Sequence, residues 1–290
     1  MVKVQWYPGH MEKARREMND RLQAVDMIIE VCDARIPEAS RNPMLAGMAL
    51  QKPRLIILGK CDLADEEMTK KWIAYYSREN TSAIALDLIH DNNSGRKVIK
   101  ACSKLMEPIH ARQRARGINP RAARAMAAGI PNAGKSTLIN RIAGKTTVKA
   151  ADKPGVTRSL TWIHADPQLD LLDTPGVLWP KFDDEKTGSL LAALGAINEN
   201  ILDLKFIAMD TIHAVQDLYP GLLEKEFDVD GANPNGMLKA IAQKRHLLAN
   251  DGRPDTKRAA SVFLHELRKG RYGGLTLEVP CEESEESLSK

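Results

Sequence analysis

Apolar positions along the first 180 residues fall into short continuous runs, separated by stretches with helical spacing. Residues 25–32 (VDMIIEVC) and 54–58 (RLIIL) are unbroken apolar runs of strand length, the pattern of strands buried on both faces. Residues 82–88, 160–165 and 168–172 are further strand candidates, and 123–128 is a weaker, alanine-rich one. Between them, 12–23 is rich in helix formers, with Met11, Met18 and Leu22 on one side. Residues 65–79 predict a helix with Asp65 as its N-cap, and 95–115 and about 135–143 predict two more. Residues 33–43 (DARIPEASRNP) read as a loop. Strands alternating with helices predict an α/β domain with a mainly parallel sheet. After about residue 181 the strand signals fade, and 185–270 is mostly helical in pattern. The chain thus divides into an α/β domain over 1–180, a small all-helical domain over 181–280, and a tail over 281–290. The acidic tail carries Glu282, Glu283, Glu285 and Glu286, which predicts disorder.

Charge changes this picture only through its arrangement. The 42 Lys+Arg and 38 Asp+Glu leave a formal net charge of +4. Yet from Pro108 to Ala151 the run Arg112, Arg114, Arg116, Arg121, Arg124, Lys135, Arg141, Lys145, Lys149 contains no acid. A second basic block holds Lys239, Lys244, Arg245, Arg253, Lys257, Arg258, Arg268, Lys269 and Arg271 against Asp251, Asp255 and Glu266. Such blocks are the footprint of a polyanionic partner, and with 4% aromatic residues phosphate and shape recognition is expected over base stacking. Four unpaired-looking cysteines, without C-x-x-C or zinc-type His spacing, argue against a disulfide framework or structural zinc. No run approaches the roughly 20 apolar residues of a membrane helix. A cytoplasmic monomer that does not engage a membrane is the expectation.

The sharpest chemical signal is Gly129-Ile-Pro-Asn-Ala-Gly134-Lys135-Ser136, followed by Thr137 and a helical run. It satisfies the phosphate-loop pattern G-x-x-x-x-G-K-S. Its glycines permit close backbone approach, so that the N–H groups of Asn132, Ala133, Gly134, Lys135, Ser136 and Thr137 converge on phosphate oxygens at a helix N-terminus. Lys135 adds charge at the outer phosphates, and the Ser136 hydroxyl is the expected Mg²⁺ ligand. Forty-four residues after Gly129, Asp173-Thr174-Pro175-Gly176 follows the apolar LDLL run. Asp173 suits a water-mediated Mg²⁺ contact and Gly176 a backbone contact to a terminal phosphate. Between the two, Thr157 in Pro154-Gly155-Val156-Thr157-Arg158 is placed to close over Mg²⁺ when a third phosphate is present.

A guanine reader, Asn/Thr-Lys-x-Asp, is not found after Gly176. It stands upstream, at the end of RLIIL, as Gly59-Lys60-Cys61-Asp62. Asp62 would accept both donors on the guanine edge, and the aliphatic stem of Lys60 would lie along the base. Gly59 departs from the pattern, because it carries no side-chain amide or hydroxyl. A backbone contact to the base is expected from Ala85-Leu86-Asp87-Leu88. The order is therefore base reader, phosphate loop, switch, D-x-x-G, a circular permutation of the common order.

With the opening Trp6-Tyr7-Pro8-Gly9-His10-Met11 and the Asp33-Ala34-Arg35-Ile36-Pro37 loop, this order resembles the circularly permuted GTPases of the YlqF type over nearly the whole chain. The resemblance implies a permuted P-loop GTPase domain followed by a helical domain that binds ribosomal RNA. It also implies a role late in maturation of the large ribosomal subunit, with GTP turnover stimulated by the ribosome. The RNA-binding residues would be Lys239, Lys244, Arg245, Arg253, Lys257, Arg258, Arg268 and Lys269. A GTPase acting in translation or transfer-RNA modification is the alternative; intact Lys135, Ser136, Thr157 and Asp173 argue against a non-hydrolysing RNA-binding module. The residue after D-x-x-G is Val177, which cannot orient water as a Gln there would, so intrinsic turnover should be slow. The resemblance suggests His10 as a catalytic residue, alongside Lys135 and Thr157. Asn132 looks like the asparagine of potassium-dependent GTPases, whose amide oxygen helps hold K⁺.

Overall fold

The structure, a computed structural model, describes residues 9–48, 51–78, 80–144, 160–179, 182 and 184–281. Six strands form one sheet: β1 (Met27–Asp33), β2 (Arg54–Gly59), β3 (Thr81–Leu86), β4 (Ala123–Gly129), β5 (Thr161–Asp166) and β6 (Leu169–Asp173). Their spatial order is β3-β2-β1-β4-β6-β5, with every pairing parallel except the β5–β6 hairpin. Each predicted strand is present. The apolar runs predicted to be buried on both faces are so, since β1 and β2 are buried at every position. β5 is exposed at Thr161, Trp162 and His164 and buried only at Ile163, as expected of an edge strand.

Helices cover both faces. α1 (Gly9–Arg21) buries Met11, Ala14 and Met18, and α4 (Ser94–Ala115) buries Val98, Cys102 and Met106. α3 (Glu66–Tyr76) starts at Asp65, whose carboxylate accepts the Met68 N–H at 2.8 Å, so the predicted cap is made. α2 (Pro43–Met48) begins in the last residue of the stretch read as loop; six residues are too few for periodicity to announce it. α5 (Lys135–Ala143) follows β4 directly. β1 and β4 are the adjacent central strands from which the chain winds outward in both directions. Ligands of such sheets bind beyond the carboxyl ends of the strands at this switch point.

From residue 184 the described chain is helical: α6 (Glu185–Ala193), α7 (Leu204–Leu218), α8 (Leu222–Phe227), α9 (Pro234–Lys244) and α10 (Thr256–Arg268). α7 packs on α6, α9 and α10 around Ile212, Val215, Ile241 and Phe263, all fully buried. One feature has no precedent in the sequence pattern. Residues 275–278 run back across the α/β layer: Leu275 N–H donates to Leu63 O (3.1 Å) and Leu277 N–H to Arg35 O (2.7 Å). The Thr276 hydroxyl bridges Asp65 N and Ala34 O, and the Trp72 indole donates to Glu278 O.

Candidate nucleotide site

The phosphate loop is shaped by two left-handed residues, Asn132 (φ 61°) and Gly134 (φ 96°), which curl the backbone between β4 and α5. Gly129 is required for a different reason. A Cβ there would lie 2.5 Å from Val31 O, so only glycine lets β4 press this close to β1 at the loop's root. Gly176 has the same function on the other side, where a Cβ would fall 2.9 Å from Pro131 Cα. The D-T-P-G segment therefore lies directly on the phosphate loop. Its Thr174 hydroxyl donates to Ala127 O at 2.8 Å, and Val177 N–H donates to Gly129 O at 3.3 Å.

Lys135, at the first position of α5, is 6% exposed and ion-paired with Asp173, itself 2% exposed at the end of β6. Burial lowers the Lys135 pKa, and the Asp173 carboxylate beside it works against that shift. A buried lysine and aspartate that satisfy each other here are the groups that a nucleotide's phosphates and its Mg²⁺ would engage separately. The donor set also suits that ion: a carboxylate and, at the next residue after Lys135, the Ser136 hydroxyl are the hard oxygens that Mg²⁺ takes. Ala133 is buried behind the loop, while Ser136 and Thr137 are half-buried in the first turn of α5. The Asn132 amide nitrogen donates to Gly195 O, just past α6, at 2.7 Å. Thr157 lies outside the described residues, as do Trp6 and Tyr7; His10 is the second residue of α1, but its side chain is outside them too.

The Gly59–Asp62 loop leaves the end of β2 through Lys60, in a left-handed conformation (φ 57°), into a 3₁₀ turn over Cys61–Leu63. The Lys60 ammonium donates to Asn132 O at 2.8 Å and to Asp33 Oδ2 at 2.9 Å. The fold thus brings the candidate base reader against the phosphate loop, although Asp62 and Asn132 stand 70 positions apart in the sequence. Asp62 is exposed, and its carboxylate, that of Asp87 and the His90 ring lie within 4.8 Å of one another beyond the end of β3. Asp87 is held by the N–H groups of Ile89 and His90.

Sequence reasoning missed the group beneath this loop. Asp33, at the end of β1, is 2% exposed and gripped bidentately by Arg35, whose Nε and Nη2 lie 2.9 and 2.8 Å from its oxygens. Burial alone would raise the Asp33 pKa, but Arg35 and Lys60 overcome it and hold the carboxyl far below the usual range. The D-A-R-I-P loop was conspicuous in the sequence, yet nothing local tells that its Asp and Arg pair with each other and with Lys60. Arg35 also donates through Nη1 to Arg268 O at 3.1 Å.

The basic residues are placed unequally. Lys239, Lys244, Arg253, Lys257, Arg258 and Lys269 are exposed on the helical region. Arg268 instead turns inward, with Nε and Nη2 on Ala193 O (2.6 Å) and Ala192 O (3.0 Å) and Nη1 paired with Glu199. Arg245 is paired with Glu266 at 3.1 Å, and Lys244 with Asp228 at the same distance. In the earlier block Arg121 is paired with Asp26, and Arg141 donates to Leu88 O.

A mainly parallel sheet with a phosphate loop, an Asp173-x-x-Gly176 segment and a candidate lysine-aspartate base reader at the end of β2, met in rotated order, defines a circularly permuted P-loop GTPase fold. Residues 124–239, from β4 onward, match the family described as 50S ribosome-binding GTPase. Across its length the chain is 40% identical to ribosome biogenesis GTPase A of Bacillus cereus, covering 98% of this chain and 96% of that one. It is 38% identical to the Bacillus pumilus protein of the same name, covering 96% and 99%. The GNP-bound crystal structure of YlqF from T. maritima superposes with a TM-score of 0.65 at 25% identity, covering 93% of this chain and all of that one. A GDP-bound YlqF structure gives the same TM-score at 26% identity, covering 91% and 99%. The chain belongs to the ribosome biogenesis GTPase A family, of the YlqF type.

Proposed function

We propose that this protein hydrolyses GTP to GDP and phosphate as an assembly factor on the maturing large ribosomal subunit. The observation that carries the nucleotide reading is the Lys60 ammonium on Asn132 O, which supports a site shared by the candidate base reader and the phosphate loop. At that site Asp62 reads guanine and the loop N–H groups from Asn132 to Thr137 cradle the phosphates. Lys135 neutralises the outer phosphates. Ser136, Thr157 and Asp173 would hold Mg²⁺, partly through water, and Gly176 gives its N–H to the terminal phosphate. Bound there, the ion would neutralise negative charge on the phosphates.

Val177 is 2% exposed and leaves the water-orienting position aliphatic, which supports slow intrinsic turnover and help from outside the pocket. His10 is the residue assigned to that help, acting when the ribosome is bound. Replacing it by Ala should abolish ribosome-stimulated turnover while leaving GDP affinity unchanged; retained stimulation removes the role. Asn132 is assigned to K⁺. Its amide nitrogen is engaged by Gly195 O, an orientation that fixes the side chain at the loop's crest. Faster turnover in KCl than in NaCl at matched ionic strength is the expected result.

The unit to about residue 180 carries the GTPase, and the helical unit to residue 280 carries RNA contacts through Lys239, Lys244, Arg253, Lys257, Arg258 and Lys269. The inward placement of Arg268 and the Glu266 pairing of Arg245 support a bracing role for these two in place of RNA contact. Sedimentation profiles of cells depleted of the protein test the whole reading: an immature large subunit should accumulate, and normal subunits would overturn it.

A further inference from the structure

Gly59 stands where a guanine reader carries a side-chain amide or hydroxyl, and it is not in a left-handed conformation that would demand glycine. A Cβ at residue 59 would lie 3.3 Å from Ala133 O, in the phosphate loop, and 3.4 Å from Cys32 O, at the end of β1. A side chain in that position would press against the carbonyls of the two segments that must be held together, and Ala133 O would have to give by a few tenths of an ångström to let an amide bond there. In this chain the join is made elsewhere. The Lys60 ammonium reaches across to Asn132 O at 2.8 Å and is pinned on its other side by Asp33 Oδ2 at 2.9 Å. Asp33 cannot move to follow it, because Arg35 holds both carboxylate oxygens and the Arg35 N–H adds a third bond at 3.1 Å. A lysine has several rotatable bonds and loses considerable rotamer entropy when fixed. A buried carboxylate with charge-assisted bonds is the type of anchor that can fix one.

We propose that Asp33 is a positioning residue for nucleotide binding: it holds the Lys60 ammonium on Asn132 O, and so ties the base reader to the phosphate loop in place of the amide that Gly59 lacks. This rests on the reading of Gly59–Asp62 as the guanine reader. Asp33 does not touch the nucleotide and acts through Lys60. The arrangement makes a specific genetic statement. An asparagine restored at residue 59 supplies a second tie between the same two segments, so it should compensate for loss of the first.

The test is the dissociation constant of a fluorescent GDP analogue for the full-length chain. Asp33→Asn should weaken binding at least about tenfold, and the double variant Asp33→Asn/Gly59→Asn should recover most of that loss. A purely structural role for Asp33 would not be relieved by a change at Gly59. Because Asp33→Asn removes a buried charge partner of Arg35, Lys60→Met is measured in parallel. It keeps the aliphatic stem for the base, removes only the ammonium, and leaves the Asp33–Arg35 pair intact. It too should bind weakly and be rescued by Gly59→Asn. Wild-type affinity in Asp33→Asn and Lys60→Met, or double variants as weak as the single ones, would overturn the proposal. Asp62→Asn separates the two levels, because it should exchange GDP preference for xanthosine diphosphate. If it does not, the reader itself is misassigned; if it does and the rescue fails, only the role of Asp33 is lost.

Discussion

Single atoms decide how close the site's segments come. Gly176 has no room for a methyl group, since Pro131 Cα and N would each stand 2.9 Å from it and both are backbone. Gly176→Ala should therefore push the D-T-P-G segment off the phosphate loop. GTP turnover should fall at least about tenfold, while the melting temperature without nucleotide drops by only a few degrees, as for a local shift at the surface of the core. Single-turnover rates and a melting curve on the same preparation check this. That Lys135, Asp173 and Gly176 come together was legible in the sequence, because backbone-dictated chemistry at fixed spacing survives any arrangement of the rest. Asp33 and Arg35 were not. Their meaning lies in a charge network closed by Lys60, whose geometry no local pattern encodes.

At the scale of elements the central strands β1 and β2 were legible because their burial is complete, and the long helices because their periodicity is strong. The returning segment 275–278 was not read, because a chain that pairs with loop backbone has neither helical nor alternating periodicity. Its far end is fastened by Glu278, which accepts the N–H groups of Glu38 and Ala39 at 2.8 and 3.0 Å. Burial pushes its carboxyl up to about 7, the nearby Glu38 adds to the rise, and the two N–H groups and Lys186 act against it. A carboxyl whose folded pKa is raised above the unfolded value binds its proton more tightly when docked. Its contribution is full below about pH 4.5 and is lost as pH rises through about 7. Glu278→Gln keeps an oxygen acceptor without the charge. The variant should gain stability over wild type between pH 5.5 and 8.5 by about 1 to 2 kcal/mol, discounted for the partial exposure of the group. Denaturant melts of both proteins at the two pH values check it, and a difference that does not grow with pH would count against docking through this carboxyl.

At the scale of the whole molecule the helical region is fastened to both halves of the candidate nucleotide site. Gly195 O holds Asn132 of the phosphate loop, and Arg268 O accepts from Arg35 beneath the candidate base reader. Arg268 closes the circuit, because its guanidinium is bonded to the carbonyls of Ala192 and Ala193 while its own carbonyl receives Arg35. It belonged to the basic block that the sequence assigned to RNA, so the two roles make opposite predictions. As a brace, Arg268→Ala leaves two carbonyls at the end of α6 without their charged donor. That should cost about 2 to 3 kcal/mol of stability and loosen GDP binding, with little change in how RNA affinity depends on salt. The exposed pair Lys257 and Arg258 should behave the other way. The double variant Lys257→Glu/Arg258→Glu touches no buried partner, so its melting temperature should hold within a degree or two. Its affinity for large-subunit RNA should fall, and the slope of log affinity against log salt should shrink by about 1.5 to 2, one step per lost phosphate contact. Filter binding across a salt series, run beside melting curves for both variants, distinguishes brace from reader. An Arg268→Ala protein with wild-type stability and a reduced salt slope would return that arginine to the RNA face.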